Sequence, residues 1–599
     1  MTDSAQDIYV LGVYSGHTST ATLLKNGKII ASASEERFNG KKNYLGLPHK
    51  SIEWCLKYAG IKASDLAYVA LPSLYSAPIH TSSKTKKSSS IATLRLAYHL
   101  IGAWRALWGR IVYYIPSLQR AGTMTYEFIQ KTIGRYTLEK EIDTIAARLR
   151  IDKSKILTFD HHLSHAATAY YSSNFNTDKT LVLTLDAEGD LHCATVSIFD
   201  GVNIKRLSTT TREHSLGWLY LYVTQFLGMK PMEHEYKVMG LAPYAKEKYA
   251  KEVYKKMKSI ITLNPENKLE FKASFNMQDA LYYLNKEMRG YRFDNIAAGA
   301  QMLLEKLIVQ WVQECMRETK IKNIALAGGV FMNIKVNQKI SELKQVDNVF
   351  FMPSAGDESL SIGACYLGYL KVMDERGTPP KCESITDLYL GPSYSNKEVK
   401  AILSSPTYKN KYKITKIEKI EKKIAELLSA RKVVARCAGR MEWGARALGN
   451  RSIIAHPAHT DVVMLINEQM KNRDFWMPFA PSILREKASN YIENPRKLDS
   501  PYMSVGFHSK PRSMKEMRAP MHPYDHTIRP QLVQKSWNPS YYEIIHEFER
   551  LTGIGGVLNT SFNLHGYPIV MGPHEALYAF ENSGLEYLAL ENYLIEKKS

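Results

Sequence analysis

The sequence predicts an α/β protein of two domains, the first assembled from two related halves. A strand, a Gly/Ser-rich bend and a second strand open the chain at residues 8–24, and the pattern of strand, acidic Gly turn and strand returns at 180–207. A Pro- and Gly-containing stretch at 376–395 then reads as a linker between residues 1–375 and 396–599. Beyond it, arginines recur in glycine-punctuated loops. A chain of 599 residues also exceeds what one hydrophobic core usually serves.

Composition narrows the function classes. At 45% hydrophobic and 23% charged residues the chain is ordinary for a globular protein. Its formal charge of +20 suits anionic partners. Lys and Arg are spread along the chain instead of gathered into an arm, which favours phosphate-bearing small molecules over nucleic acid. The cysteines (Cys55, Cys193, Cys315, Cys365, Cys382, Cys437) form no close pairs, so neither a disulfide framework nor a zinc knuckle is indicated, and a reducing, cytoplasmic setting fits. Met1–Asp7 is polar and lacks the basic-then-apolar pattern of a leader, and no stretch of spanning length is free of charge. A soluble protein without a transmembrane span is expected.

In chain order, Ile8–Val13, Thr20–Leu24 and Ile29–Ala33 read as strands, with a bend at Tyr14–Ser19 and a turn at Lys25–Lys28. This is how actin-like ATPase folds open, with the bend facing phosphate; a plain hairpin has the same signature. Gly16 permits close backbone approach and His17 stands at the mouth of the bend. Glu35-Glu36-Arg37-Phe38 follows, then a helical pattern over His49–Ala59. Residues 73–140 read as a helical insertion. It includes a Ser/Lys-rich connector (82–90) and an aromatic, basic stretch (91–115) whose Arg95, Arg105 and Arg110 argue against a membrane span. Such a stretch packs on the protein, or covers a greasy substrate or a lipid interface.

His161-His162-Leu163-Ser164-His165-Ala166 runs into a small-residue helical pattern. As a helix it places His161 and His165 one turn apart on one face, where two imidazoles reach one divalent metal, and turns His162 elsewhere. A structural His pair has the same spacing. Thr180–Leu185 is a buried-strand pattern ending in Asp186-Ala187-Glu188-Gly189-Asp190, followed by strands at His192–Phe199 and Val202–Leu207. Asp186 and Asp190 could hold a metal or orient water, or simply make the turn. Gly217–Phe226 reads as a helix, Glu233–Tyr244 as a dense polar loop and 250–317 as mostly helical. Ile324–Asn333 is a strand that breaks at Gly328-Gly329 into a helix start, exposing backbone N–H groups to phosphate or nucleoside without the Lys-Thr/Ser ending of a Walker loop. After a strand at Val349–Met352, Asp357 stands at a strand-to-helix corner, a natural third ligand beside His161 and His165.

In the second region a strand at Val433–Ala438 leads into Gly439–Ser452, which carries Arg440, Arg446 and Arg451. Asn467–Arg473 adds Lys471 and Arg473, His526–Gln531 adds Arg529, and Gly556–Asn563 ends a strand in a polar turn with Ser561. Cations drawn from separate segments predict a pocket for a polyanion.

Together these motifs resemble the NodU/CmcH/TobZ family of O-carbamoyltransferases over nearly the whole chain. The Gly-His-Thr-Ser bend, Glu-Glu-Arg-Phe, His-His-x-x-His-Ala, Glu-Tyr-Lys-Val-Met-Gly-Leu-Ala-Pro-Tyr, Ala-Gly-Gly-Val, Asn-Arg-Ser-Ile, Pro-Phe-Ala-Pro-Ser and Asn-Thr-Ser-Phe-Asn occur in family order. The resemblance implies an actin-like ATPase domain of duplicated RNase H-like halves (the ASKHA superfamily) and a YrdC-like C-terminal α/β domain. It implies that carbamoyl phosphate and ATP form a carbamoyl-adenylate, which then carbamoylates a hydroxyl of a small-molecule acceptor, a natural product or glycan.

By position, His161, His165 and Asp357 would hold Fe2+ or a similar divalent ion, with Mg2+ accompanying ATP. His17 would be the base and Asp186 a further catalytic-site residue lining the nucleotide cleft with Gly16, Gly328, Gly329 and Asn333. Arg446, Lys471, Arg473, Arg529 and Ser561 would neutralise carbamoyl phosphate and the ATP phosphates. A homodimer is compatible with this reading. Ala445 stands where the family more usually has Pro, and Asp-Ala-Glu-Gly-Asp replaces a commoner Asp-Gly turn. The stretch at 91–115 departs most and is where acceptor choice would lie, with lipid-linked, aromatic or alkaloid acceptors as hypotheses. The alternatives are a tRNA threonylcarbamoyl transferase with its partner fused and a non-catalytic actin-like nucleotide-binding scaffold; the C-terminal arginine motifs and the His/His/Asp set argue against both.

Overall fold

The structure is a computed structural model that describes residues 7–75, 119–471 and 474–598. Two compact units separate: Met1–Glu35 with Tyr44–Ile385, and Glu36–Asn43 with Thr386–Ser599.

The first unit is built on two five-stranded mixed sheets. In the first, β1 (Tyr9–Tyr14), β2 (Thr20–Lys25) and β3 (Lys28–Ser34) form an antiparallel meander, and β4 (Leu66–Leu71) and β5 (Ile156–Thr158) add in parallel on the other side of β1, giving the order β3-β2-β1-β4-β5. The second repeats this plan. β6 (Thr180–Gly189), β7 (His192–Asp200) and β8 (Asn203–Thr211) form the meander; after a small hairpin, β9 (Ile261–Leu263) and β10 (Phe271–Ala273), the strands β11 (Asn323–Ala327) and β12 (Asn348–Phe351) add in parallel beside β6. Both sheets therefore share strand order and strand sense. Val10, Leu11 and Val13 of β1 and Leu181, Val182, Leu183 and Leu185 of β6 are all buried, because these central strands are covered on both faces.

Two helices, His161–Ser172 and Leu360–Glu375, pack closely on each other and set the site. A Cβ on Gly363 would lie 1.9 Å from the Ser164 carbonyl oxygen, and one on Gly12 of β1 would lie 1.9 Å from that of Ser361. The backbones approach so nearly that only glycine fits.

Two expectations change here. Glu233–Tyr244, predicted as a polar loop, contains a helix at Glu235–Leu241 and a 3-10 turn at Ala242–Tyr244. Its polar residues crowd the helix start, while Val238, Met239 and Leu241 are buried. Of the predicted insertion, residues 76–118, including the aromatic stretch 91–115, lie outside the described residues; 73–75 are irregular, and from 119 the chain is helical, Gln119–Ile129 and Arg135–Leu149 joined by a π-turn at Gln130–Gly134. Residues 378–390 have no regular structure, yet Glu383 and Ile385 donate backbone hydrogen bonds to Gly27 and Ser172.

The second unit carries an eight-stranded sheet. Its strands are β13 (Tyr412–Lys416), β14 (Val434–Cys437), β15 (Arg451–Ala455), β16 (Ala480–Leu484), β19 (Gln531–Val533), β20 (Gly556–Ser561), β21 (Tyr587–Leu590) and β22 (Tyr593–Lys597), in the order β13-β22-β21-β14-β15-β20-β16-β19. A ribbon of β17 (Phe507–His508) and β18 (Thr527–Ile528) stands apart from it. Ala435, Ile453, Leu558, Leu588 and Ile595 form its core with Val399 and Leu403 of helix Asn396–Leu403 and Leu577 and Phe580 of helix Pro573–Glu581.

Gly363→Ala is expected to destabilise the protein by about 1–3 kcal/mol, the usual cost of forcing a methyl into close-packed backbone. The denaturation midpoint of the full chain would fall; an unchanged midpoint would show that the helix pair can separate without penalty.

Candidate functional site

The helix His161–Ser172 begins where Asp160 caps it, its Oδ1 accepting the Leu163 N–H at 2.7 Å, and Arg206 holds that carboxylate at 2.6 Å. His161 and His165 then share a face, with ring centroids 4.8 Å apart. His162 turns away to Thr184 Oγ1 at 2.8 Å. Across from them β6 leaves its ladder: pairing with β7 runs to Leu185↔Ala194 and resumes only at Gly189↔His192. This irregularity frees Asp186 to face the histidines. Asp186 Oδ2 lies 3.1 Å from His165 Nε2 and accepts the Gly329 N–H at 3.2 Å.

Asp357 follows β12 at the start of a 3-10 turn, and Tyr14 Oη donates to its Oδ2 at 2.5 Å. The ligating atoms of His161, His165, Asp186 and Asp357 all lie within 4.8 Å of one another. Asp357 Oδ1 is 3.8 Å from His161 Nε2 and 3.6 Å from His165 Nε2.

A divalent cation fits this group. Both histidines are buried, and His161 Nε2 makes no hydrogen bond, lying 3.9 Å from Asp186 Oδ2 at ion-pair distance only. Burial acts to lower the His161 pKa, but the Asp186 carboxylate and then the Asp357 charge outweigh it and raise it to about 9. Asp186, despite its burial, is held well below the usual carboxylate range by the same two histidines. The pocket thus demands positive charge between its carboxylates, and two imidazole nitrogens with two carboxylate oxygens are the donor set of a borderline or hard divalent ion.

The first sheet supplies the facing bend. Ser15 donates to buried Glu141, Thr18 Oγ1 donates to Glu358 at 3.1 Å, and Tyr14 is fixed on Asp357 as above. His17 is half-buried and pairs through its backbone with Leu45. A Cβ on Gly16 would strike the Tyr14 ring. Gly328 has φ of +105° and would carry a Cβ 2.3 Å from the Leu185 carbonyl oxygen, so the β11 end closes tightly on β6. Asn333 caps helix Ile334–Ser341 through the N–H groups of Lys335 and Val336 and exchanges amide hydrogen bonds with Gln301. Its amide is committed to the fold.

In the second unit Lys471 and Ser561 come together. Lys471 is 2% exposed, and its Nζ donates to Ser561 O, to Ser561 Oγ at 3.2 Å, to Asn563 O at 3.1 Å and to Asn563 Oδ1 at 2.6 Å. Arg446 and Arg529 are half-buried in their loops, and Arg473 lies outside the described residues. The loop's other two arginines serve the fold. Arg451 donates to the carbonyls of Met571, Ala438, Gly439, Asn450 and Pro392, and Arg440 to those of Gly391 and Leu390. Arg37, 5% exposed, reaches the carbonyl of Gly444 at 2.8 Å, and Glu442 Oε1 accepts the N–H groups of Leu448, Asn450 and Arg451. The loop around Arg446 is braced from both sides.

The family description "Carbamoyltransferase N-terminus" matches residues 9–366, and "Carbamoyltransferase C-terminus" matches residues 425–597. The chain belongs to the carbamoyltransferase family. Uncharacterized protein sll1178 of Synechocystis sp. is 31% identical, the match covering 98% of this chain and 97% of that protein. Nodulation protein NolNO of Sinorhizobium fredii is 30% identical, over 97% of this chain and 79% of that protein. Uncharacterized protein MJ1051 of Methanocaldococcus jannaschii is 32% identical, over 98% and 99%. Among solved structures, T. kodakarensis HypF superposes with a TM-score of 0.31 at 13% identity, covering 62% of this chain and 48% of its own, too loose a match to bear on the fold. As a carbamoyltransferase the chain is a transferase enzyme, and among the described residues no helix is long and apolar enough to cross a membrane.

Sequence reading missed Tyr14, Glu141 and Arg37. Each acts on a residue far along the chain, and a single tyrosine, glutamate or arginine carries no spacing signal.

Gly189 packs under the His161 ring: a Cβ there would lie 2.1 Å from it. Gly189→Ala is therefore expected to tilt His161 and weaken divalent-ion affinity about 10- to 100-fold, as losses of ligand support commonly do. Equilibrium dialysis of the full chain against Co2+ or Fe2+ measures this; wild-type affinity would show that His161 is not a ligand.

Proposed function

We propose that this carbamoyltransferase uses carbamoyl phosphate and ATP to make a carbamoyl-adenylate and passes the carbamoyl group to a hydroxyl of a small-molecule acceptor. The observation that carries the reading is the buried His161/His165/Asp186/Asp357 group, which demands a cation and lies on the unit whose two sheets share one strand plan. That shared plan supports reading the first unit as the duplicated RNase H-like core of an actin-like ATPase, and the mixed eight-stranded sheet is offered as the YrdC-like part. The domain limits 1–375, 376–395 and 396–599 are proposed on the same basis, with Glu36–Asn43 added to the second.

In the second unit, Arg446, Lys471, Arg473, Arg529 and Ser561 are proposed to hold the anionic substrates. Positive charge and oriented donors stabilise charge that develops on phosphate without covalent help from the protein. Water hydrolyses carbamoyl phosphate to carbamate and inorganic phosphate with release of a proton; the carbamate oxygen then attacks the ATP α-phosphorus and pyrophosphate leaves. In the first unit His17 takes the proton of the acceptor hydroxyl, whose oxygen attacks the carbamoyl carbon as AMP leaves. A neutral imidazole suits that role near neutral pH. His161, His165 and Asp357, joined by Asp186, would hold Fe2+ or a related ion, which supplies positive charge for the adenylate phosphate; Mg2+ would accompany ATP. Gly16, Gly328 and Gly329 allow phosphate to approach backbone closely.

Incubating the full chain with ATP and carbamoyl phosphate, without acceptor, should release pyrophosphate and form carbamoyl-AMP. Arg446→Ala is expected to lower that rate about 100- to 1,000-fold, the scale of losing one preorganised charge-stabilising donor. His161→Ala should retain pyrophosphate release and carbamoyl-AMP formation in the same assay. No carbamoyl-AMP with any divalent metal would overturn the two-step reading and favour a tRNA-modifying or scaffold role.

A further inference from the structure

Apart from the His161/His165/Asp186/Asp357 group, the first unit holds a buried charged cluster on the turn that carries Asp186. Arg212, 2% exposed, donates to Glu188 Oε1 at 2.6 Å and to Gln278 Oε1, and Gln278 Nε2 donates to Glu188 Oε2 at 2.7 Å. The Arg212 guanidinium lies 3.4 Å from the ring centroid of Tyr126, which comes from helix Gln119–Ile129. The rest of the turn is held as firmly. Ser215 Oγ donates to Ala187 O at 2.7 Å. Asp190 accepts the N–H groups of Leu74, Tyr75 and His161.

Residues on both sides of 76–118, Leu74 and Tyr75 before it and Tyr126 after it, are therefore fastened to the same turn. We infer that Glu188, Arg212 and Tyr126 are positioning residues for Asp186: a carboxylate, a guanidinium and an aromatic face that fix the bulged turn and, through it, the geometry of the ligand group. None of the three touches the ligating atoms. The bulge leaves residues 186–188 without ladder hydrogen bonds, so the turn takes its shape from these side chains. A guanidinium held between a carboxylate and a ring face is both charge-paired and stacked, which a lysine would not reproduce.

The inference rests on the metal reading proposed above, and the test separates the two. Co2+ affinity, melting temperature, and kcat and KM for acceptor-free turnover would be measured on the full chain and on Tyr126→Leu, Tyr126→Phe, Glu188→Gln, Arg212→Lys and His161→Ala. Tyr126→Leu should weaken Co2+ binding about 10- to 100-fold, the range for groups that orient metal ligands, with little change in melting temperature or in KM for ATP. Glu188→Gln should weaken it likewise and also lower the melting temperature, because buried Arg212 loses its carboxylate. Tyr126→Phe keeps the ring face and removes only the hydroxyl that donates to Glu188 Oε1 at 3.5 Å, a long bond, and should recover most of the affinity. Wild-type affinity in Tyr126→Leu and Glu188→Gln, alongside loss in His161→Ala, would overturn the positioning role and leave the metal reading standing. A loss in Tyr126→Leu matched by a large fall in its melting temperature would reduce the cluster to a structural one. Failure of the wild type to bind any ion would overturn both.

Discussion

Two carboxylates, Asp186 and Asp357, face two buried imidazoles across a pocket where the four ligating atoms fall within 4.8 Å. Carboxylates brought that close with little solvent between them favour a positive charge there, and Asp186 and then Asp357 raise the His161 pKa to about 9 against the opposing effect of its burial. The rest of the first unit is arranged around this demand. The histidine pair needs a helix start, Asp186 needs a strand that leaves its ladder, and Asp357 needs a strand-to-helix corner.

Each requirement is met by a local device with a packing consequence. The capped helix at Asp160 fixes the histidines in rotation, and the glycine contact at Gly363 brings the helix after Asp357 against it closely enough for the ligands to meet. The two sheets repeat one topology, yet their turns do different work. The bend after β1 holds its shape by donating hydroxyls to acids, whereas the turn of β6 offers an acid to the site.

Much of this was legible in the sequence. The spacing of His161 and His165 is a helical fact, and Asp357 could be placed because a strand pattern ends just before it. The repeat of strand, turn and strand announced the second sheet. The residues alone left Asp186 open as a metal holder, a water-orienting group or a turn residue; its place beside the histidines depends on the bulge and so on register with β7, which no local pattern records. The loop around Arg446 misled differently. Arg440, Arg446 and Arg451 looked alike as cations, but Arg440 and Arg451 reach carbonyls of distant segments, and only folding reveals which arginine caps a backbone. Residues 233–244 failed as a loop because charged residues at a helix start resemble loop composition.

The bend Tyr14–Thr18 shows how the fold separates support from chemistry. Tyr14, Ser15 and Thr18 each donate a hydroxyl to a different acid, Asp357, Glu141 and Glu358. Gly16 has no side chain, and its backbone is pressed against the Tyr14 ring. The side chain that the bend does not use to hold itself is His17. A base that must meet a substrate oxygen within hydrogen-bond reach gains most from a backbone that cannot shift, since small displacements of a reacting group are costly. The acids of the bend therefore act on His17 by immobilising its neighbours. Tyr14, by joining that bend to Asp357, makes the position of His17 and the position of the Asp357 carboxylate one constraint.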